Sequence, residues 1–189
     1  MFETISECFS TKKNTHLHKV CDIAKKYDFE TMIWSDMFCK LALNVESQYD
    51  SGDLSLIKEK ANLPDNVSLV YWDYYSTDYE RYANNIKTNK AFGKKVYFAG
   101  GAWTWKGFAP DNEFSLKATN PAIRACNDYD VDGMFFTLWG DDGNECSRFS
   151  VLPSLMYAAE ISKGKPELIN YLKLKQLYVN EPIGMEGDI

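Results

Sequence analysis

Histidine is nearly missing from the 189-residue sequence, which holds only His16 and His18, both within the first predicted helix. A Ser–His nucleophilic site therefore has no candidate, and a metal site built on histidine is not expected. The five cysteines are widely spaced and include no Cys-x-x-Cys pair, which argues against a zinc site and against a dithiol redox motif. We interpret them as reduced thiols of a cytoplasmic protein.

The sequence also lacks the signals of a cofactor, a membrane or a nucleic acid. No Gly-x-Gly-x-x-Gly follows a predicted strand, so a dinucleotide site is unsupported and no cofactor is expected. No apolar run is long enough to span a membrane, and residues 1–13 lack the apolar core of a secretion signal. The net charge of −6 is spread along the chain without clusters of Lys and Arg, which argues against a nucleic-acid partner.

Four short apolar runs alternate with segments of helical spacing, which predicts consecutive strand–helix units. The strands are predicted at residues 31–36, 67–73, 95–100 and 133–139, and the helices at 15–27, 53–61, 78–90, 120–129, 144–162 and 166–178. Pro121 should open the fourth helix after a long loop, and Pro153 should interrupt the fifth. We expect one domain over residues 1–179 and a C-terminal tail over 180–189.

The predicted strands are apolar almost throughout, which is typical of strands that are buried on both faces of a parallel sheet. Alternation of such strands with helices predicts an α/β fold. An open doubly wound sheet and a piece of an eightfold barrel both fit this pattern.

Aromatic residues, often beside an acid, stand where each predicted strand ends. The five tryptophans all fall at these ends or just beyond them, at positions 34, 72, 103, 105 and 139. In parallel α/β folds, functional residues gather at the carboxyl ends of the strands. Indole faces stack on the apolar faces of sugar rings, and carboxylates accept hydrogen bonds from sugar hydroxyls. Taken together the tryptophans therefore favour a sugar-binding site, although each tryptophan taken alone is better explained as part of the core.

Four motifs at these strand ends resemble the family 20 glycoside hydrolases, the β-N-acetylhexosaminidases, and in particular their intracellular bacterial branch. They are W-S-D-M-F at 34–38, Y-W-D-Y-Y at 71–75, F-A-G-G-A-W-T-W-K-G-F at 98–108 and T-L-W-G-D-D-G at 137–143. The resemblance extends from about residue 15 to about residue 162, and the third and fourth motifs are the most specific.

The resemblance implies one half of a (β/α)8 barrel, with four parallel units that correspond to strands five to eight. In this family the acetamido oxygen of the substrate attacks the anomeric carbon, a Glu protonates the leaving oxygen and the Asp before it orients the acetamido group. That Asp-Glu pair belongs to barrel strand four, and no Asp-Glu dipeptide occurs in the 189 residues. We therefore assign no catalytic residue.

The resemblance also implies roles for individual side chains in substrate binding. Trp34, Trp72 and Trp139 correspond to the aromatic box around the N-acetyl group and the sugar ring, and Asp141 to an acid that binds sugar hydroxyls. The family commonly has a Tyr near the end of strand seven, where this sequence has Trp103 and Trp105. Tyr74 or Tyr75 could supply that hydroxyl instead. Asp36 and Asp73 are weaker candidates, and both could cap the helices that follow them.

Three functions remain open at the level of the sequence. The chain could be the C-terminal part of a β-N-acetylhexosaminidase, inactive alone and acting on glycans that contain N-acetylhexosamine. It could be a non-catalytic sugar-binding or assembly module built on a half barrel. It could be an unrelated α/β enzyme with a smaller sheet, although no motif supports that. Four strands cannot close a barrel, so the expected protein partner is either a second copy or the missing N-terminal half.

Overall fold

The computed structural model describes residues 5–50, 52–60, 62–143 and 145–164, and every structural statement below concerns those residues. Helices and strands alternate along the chain. The helices are α1 (Ile5–Lys26), α2 (Asp36–Leu43), α3 (Ser55–Lys60), α4 (Tyr79–Lys90), α5 (Asn112–Asp128) and α6 (Leu152–Ser162). The strands are β1 (Thr31–Trp34), β2 (Val67–Trp72), β3 (Val96–Gly101) and β4 (Gly133–Thr137), and short 3-10 turns cover Asp141–Gly143 and Arg148–Val151.

The four strands form one parallel sheet in which they lie in their order along the chain, β1-β2-β3-β4. Trp34 pairs with Val70 between β1 and β2, and Gly101 pairs with Thr137 between β3 and β4. Because the strands are parallel, their carboxyl ends meet at one edge of the sheet. The predicted α/β class with a parallel sheet and flanking helices is confirmed.

One face of the sheet is covered by helices. Leu69 of β2 packs with residues of α1, α2 and α3, and Tyr71 and Phe98 pack with residues of α4 and α5. All three of these side chains are completely buried. Since successive residues of a strand point to opposite faces, the alternate positions of the same strands belong to the other face of the sheet.

That other face is open at both outer strands, where Met32, Trp34 and Phe135 are exposed. The ring centroids of Trp34 on β1 and Phe135 on β4 are only 6.4 Å apart. In a flat sheet these outer strands would be about 14 Å apart, since neighbouring strands are separated by about 4.8 Å. The side chains of the two outer strands therefore lean toward each other and meet across the open face.

The helix boundaries correct the sequence interpretation at three places. The fourth predicted helix begins at Asn112 instead of residue 120, because the Asp111 side chain accepts a hydrogen bond from the Phe114 amide and caps it there. Pro121 consequently lies inside α5 and does not open it. The segment predicted as a helix from residue 144 forms a 3-10 turn at Arg148–Val151 and becomes α-helical only at Leu152, so that Pro153 stands in the first turn of α6, where proline is tolerated.

Two other elements differ from the expectation. Helix α2 directly follows β1 and was not predicted, because its eight residues are too few for a clear periodic signal. Helix α1 begins ten residues before the predicted start. The predicted last helix at 166–178 and the tail at 180–189 lie outside the described residues.

Four of the cysteines are buried free thiols, at Cys21, Cys39, Cys126 and Cys146. Burial raises the pKa of the Cys39 thiol to about 12, so it is protonated at neutral pH. None of the helices that the structure describes combines the length and the apolar content needed to cross a membrane.

Candidate functional site

Aromatic side chains gather at the carboxyl edge of the sheet, as the strand-end pattern predicted. Trp34 and Trp72 are the last residues of β1 and β2, and Trp139 follows the end of β4 by two residues. Trp103 and Trp105 lie in the loop that connects β3 to α5. All five tryptophans are thus brought to one edge by the parallel sheet.

These residues surround an open cleft of about 340 Å³, which we call the aromatic cleft. Its lining combines three tryptophans of the strand ends with one loop tryptophan, two tyrosines and two aspartates. The residues are Trp34, Asp36, Trp72, Tyr74, Tyr75, Trp105, Trp139 and Asp141. A volume near the lower limit of ordinary ligand sites suits a ligand the size of one sugar ring.

One wall of the aromatic cleft is a continuous series of ring contacts. The centroids of Trp72 and Tyr74 are 5.2 Å apart, and those of Tyr74 and Trp105 are 5.6 Å apart. Trp105 in turn lies 5.1 Å from Trp103, whose ring packs at 4.4 Å against Phe114 of α5. These separations are within the range of favourable aromatic pairs, so the rings of the wall support one another without a ligand.

The opposite rim is formed by two tryptophans that share the same local sequence arrangement. The rings of Trp34 and Trp139 are 6.5 Å apart, and both are 41% exposed. Each is followed two residues later by an aspartate that lines the cleft, Asp36 and Asp141. The rim therefore offers two exposed indoles beside two carboxylates, which is the combination that a sugar ring with its hydroxyls requires.

Asp36 also fixes the orientation of a neighbouring ring. Trp72 Nε1 donates a hydrogen bond of 3.3 Å to Asp36 Oδ1. Because a carboxylate accepts several hydrogen bonds at once, this contact leaves Asp36 free to accept others from a ligand. The indole of Trp72 also packs against the Tyr74 ring at 5.2 Å and meets the Tyr49 ring in a T-shaped pair at 6.4 Å.

The loop after β3 is tied to its surroundings by three hydrogen bonds. Trp103 Nε1 donates to the backbone oxygen of Tyr74 at 2.8 Å, and the Trp103 amide donates to Ser115 Oγ of α5 at 3.0 Å. Thr104 Oγ1 donates to the backbone oxygen of Trp139 at 2.7 Å. The loop thereby links the segment after β2 to the segment after β4 across the cleft.

The structure brings together six of the residues predicted for substrate binding, and places one elsewhere. Trp34, Trp72, Tyr74, Trp105, Trp139 and Asp141 line the aromatic cleft. Trp103 is only 5% exposed and does not line it, because its indole turns inward to pack against Phe114 and to donate to Tyr74. Trp103 therefore supports the cleft from behind.

Two cleft residues carried little weight in the sequence interpretation. Asp36 was a weaker candidate with helix capping as its alternative, but it is the first residue of α2, and no side-chain hydrogen bond from Ser35 caps that helix. The equal spacing in W-S-D and W-G-D was the signal that could have identified Asp36. Tyr75, named only as an alternative to Tyr74, lines the cleft and is exposed.

Asp73, the other weak candidate, is neither a cleft residue nor a helix cap. Helix α4 is capped by Asp78, whose side chain accepts from the Glu80 amide. The Asp73 carboxylate is completely buried and forms an ion pair with Arg81. It therefore lies behind the cleft wall, among protein groups.

The chain matches no protein-family model and no curated protein sequence. No group of three or more His, Cys, Asp or Glu side chains within the described ranges is arranged to hold a metal ion. The chemistry that the described cleft itself offers is stacking on indole faces and acceptance of hydrogen bonds by two carboxylates.

Proposed function

We propose that this chain binds a terminal N-acetylhexosamine residue of a glycan in the aromatic cleft, as the sugar-binding half of a β-N-acetylhexosaminidase site. The observation that carries the proposal is the convergence of Trp34, Trp72, Trp139 and Asp141 on one cleft. These are the residues to which the motif resemblance assigns the aromatic box and the hydroxyl-binding acid. Any parallel sheet brings its strand ends together, so the support lies in the kind of side chain that meets there: three indoles and a carboxylate around one cleft.

The fold is compatible with one half of a (β/α)8 barrel. Helices cover one face of a four-stranded parallel sheet, and side chains of its two outer strands meet across the other face. A closed barrel has this arrangement, with helices outside and side chains of the strands filling the interior. In such a barrel the aromatic cleft would lie at the carboxyl end, where the active sites of these barrels are found.

In this proposal the chain does not hydrolyse glycosides by itself. The family mechanism requires an Asp-Glu pair, and the sequence has none. General acid catalysis contributes about 10²–10⁴-fold, and loss of acetamido orientation removes further rate. We expect no measurable release of chromophore from a β-N-acetylglucosaminide with the purified chain. Turnover at an ordinary hexosaminidase rate that disappears in Asp141→Ala would contradict this expectation.

Sugar binding is tested by ligand-detected NMR or calorimetry with N-acetylglucosamine. We expect weak binding, because contacts on the side of the acid pair are missing, and a loss of at least about tenfold in affinity for Trp139→Ala. Phe108→Ala is the matched control, since Phe108 is highly exposed and does not line the cleft. Equal affinities of wild type and Trp139→Ala would argue against a sugar site in the cleft.

A non-catalytic sugar-binding or assembly module is the alternative, and the missing acid pair favours it. An upstream reading frame that ends in His-x-Gly-x-Asp-Glu would decide for the hexosaminidase. A cytoplasmic location remains a prediction from the sequence. In a hexosaminidase fragment and in a sugar-binding module alike, the glycan would contact Trp34 and Trp139. The binding experiment therefore tests whether the cleft binds sugar. The upstream reading frame tells the hexosaminidase fragment from the non-catalytic module.

A further inference from the structure

A buried ion pair lies directly behind the aromatic cleft. The Asp73 carboxylate, completely excluded from solvent, is bound by Arg81 Nε at 2.8 Å. Asp73 follows Trp72, the last residue of β2, and precedes Tyr74 and Tyr75. It therefore stands at the base of the segment that carries three of the side chains lining the cleft.

Both oxygens of the Asp73 carboxylate are occupied by groups of the protein. Oδ1 accepts from the backbone amide of Tyr75 at 3.0 Å. Oδ2 accepts from Arg81 Nε and also from the Tyr71 hydroxyl at 3.2 Å. The carboxylate thus joins the strand before it, the loop after it and helix α4, and the turn at residues 73–75 has one defined geometry.

Arg81 extends this arrangement to the loop before α3. Its guanidinium lies 3.7 Å from the centre of the Tyr49 ring, a cation–π contact. The Tyr49 ring meets the Trp72 ring edge-on at 6.4 Å, and Gln48 Nε2 donates to the backbone oxygen of Trp72 at 3.3 Å. Burial alone would lower the pKa of Arg81, but the hydrogen bond and the charge of Asp73 raise it, so the guanidinium stays charged.

An ion pair in this position needs a reason other than stability. Desolvation of two charges commonly cancels the attraction between them, and apolar side chains of similar volume often serve stability as well or better. An apolar pair could not accept a hydrogen bond from the Tyr75 amide, and so could not fix the direction of the backbone at that residue. Directional bonds to a buried charge are the feature that distinguishes positioning from packing.

We propose that Asp73 and Arg81 are positioning residues that hold Trp72, Tyr74 and Tyr75 in the geometry that accepts the sugar ring. Neither side chain lines the aromatic cleft. Asp73 fixes the Tyr75 amide, and Arg81 fixes Asp73 and the Tyr49 ring that abuts Trp72. The inference rests on the proposed function in that the ligand is the N-acetylhexosamine ring.

The test compares Arg81→Gln, Arg81→Lys and a matched control by two independent measurements. The control is Lys117→Gln, which also removes one positive charge and one ion pair, with Glu113, but on the exposed surface of α5. Hydrogen exchange followed by NMR reports on the Tyr75 amide, and ligand-detected NMR reports on affinity for N-acetylglucosamine. The first measurement needs no ligand.

In Arg81→Gln we expect the Tyr75 amide to exchange at least about tenfold faster relative to the amides of β3. Affinity for the sugar should fall roughly five- to tenfold. Arg81→Lys restores the charge near Asp73 and should recover part of both effects, whereas Lys117→Gln should change neither. If Arg81→Gln does not fold, Arg81→Lys is compared with the wild type instead. Its Tyr75 amide should still exchange faster than in the wild type, by less than about tenfold.

Two results would overturn the inference. One is unchanged relative protection of Tyr75 in both Arg81 variants. The other is a uniform acceleration of all amides together with unchanged affinity of the folded fraction, which would make the pair a plain stabilising contact. Failure of the wild-type chain to bind the sugar would refute the proposed function, while the Tyr75 exchange result would still decide whether the ion pair positions the loop.

Discussion

Gly101, the last residue of β3, lies against two rings of the aromatic cleft wall. A Cβ atom at this position would stand 2.6 Å from Cη2 of Trp105 and 2.9 Å from Cδ1 of Tyr74. Both distances are shorter than van der Waals contact, so Gly101→Ala must displace the rings. We expect a stability loss of about 1–3 kcal/mol, as is usual for overpacking, and a clear loss of affinity for N-acetylglucosamine.

Gly100→Ala is the matched control for this substitution. Its Cβ would stand 2.6 Å from Cε1 of Phe136, on the face of the sheet that packs against the helices. The stability loss measured by urea unfolding should be similar, but affinity of the folded protein should not change. If the two variants lower affinity equally, the Trp105 and Tyr74 rings do not define the binding geometry.

The buried tyrosines behind the cleft predict a loss of stability in alkali. Burial raises the pKa of Tyr71 well above its ordinary value of 10.0, and the Asp73 charge adds to the effect. Burial also raises the pKa of Tyr49 to about 12. The folded state therefore holds protons that the unfolded state releases, so this stabilisation is complete below about pH 10 and is lost as the pH rises above it.

Tyr71→Phe tests this dependence, because it keeps the ring and removes the group that titrates. At neutral pH the variant should lose about 1 kcal/mol with the hydrogen bond to Asp73. Its unfolding free energy should then fall less steeply than that of the wild type above about pH 10. Parallel pH profiles from urea unfolding would show that Tyr71 makes no contribution to the alkaline transition.

At the scale of elements, the loop between β3 and α5 depends on how that helix begins. Asp111 Oδ1 accepts from the Phe114 amide at 2.9 Å, and Phe114 and Ser115 in the first turn both contact Trp103. Asp111→Ala should cost about 1 kcal/mol, the usual effect of a lost cap. It should also alter the near-ultraviolet circular dichroism of the tryptophans, since Trp103 loses its fixed support.

Asp111→Asn is the control, because asparagine caps a helix about as well as aspartate. It should leave the near-ultraviolet spectrum and the unfolding free energy close to those of the wild type. A spectrum unchanged in Asp111→Ala would mean that the start of α5 does not position the Trp103 ring.

The strands could be predicted closely from the sequence, because buried parallel strands leave near-continuous apolar runs whose ends are marked by polar residues. Helix starts were harder, since the start of α5 depends on one capping side chain, Asp111, within a segment that lacks periodicity. The rule that functional side chains follow the carboxyl ends of parallel strands located most of the cleft, because those strand ends could be predicted. It could not show that Trp103 turns inward, because that depends on the path of a loop and on its contact with Phe114.

For the whole molecule, the open face of the sheet is the main exposed apolar surface near the site. Three of its side chains remain substantially exposed, Met32 by 45%, Trp34 by 41% and Phe135 by 37%, and Trp139, just beyond β4, is exposed by 41%. Together they present on the order of 300 Å² of apolar area. Within the described residues, β1 and β4 each pair with one neighbouring strand, so each has an open edge. Open edges and apolar patches both favour association.

A second copy of the chain would cover this surface if the two copies closed a barrel together. A two-fold axis along the strands would place β1 of each copy beside β4 of the other and keep all strands parallel. Four strands from each copy make eight, the number at which a barrel interior is just filled by side chains. The apolar side chains of the open face would supply over a third of the roughly 800 Å² that a standard interface buries on each partner, and the paired edges would add to it.

We therefore expect the chain to form a dimer at micromolar concentration, measured by size-exclusion chromatography with light scattering. Met32→Glu should weaken the dimer strongly, because it would place a charge in the closed interior, and Met32 does not line the aromatic cleft. Phe149→Glu is the control, since Phe149 is 60% exposed and lies outside the sheet. A monomeric wild type whose β1 and β4 amides are all protected from hydrogen exchange would show that the chain covers these edges itself. Equal dissociation of the two variants would place the contact away from the open face.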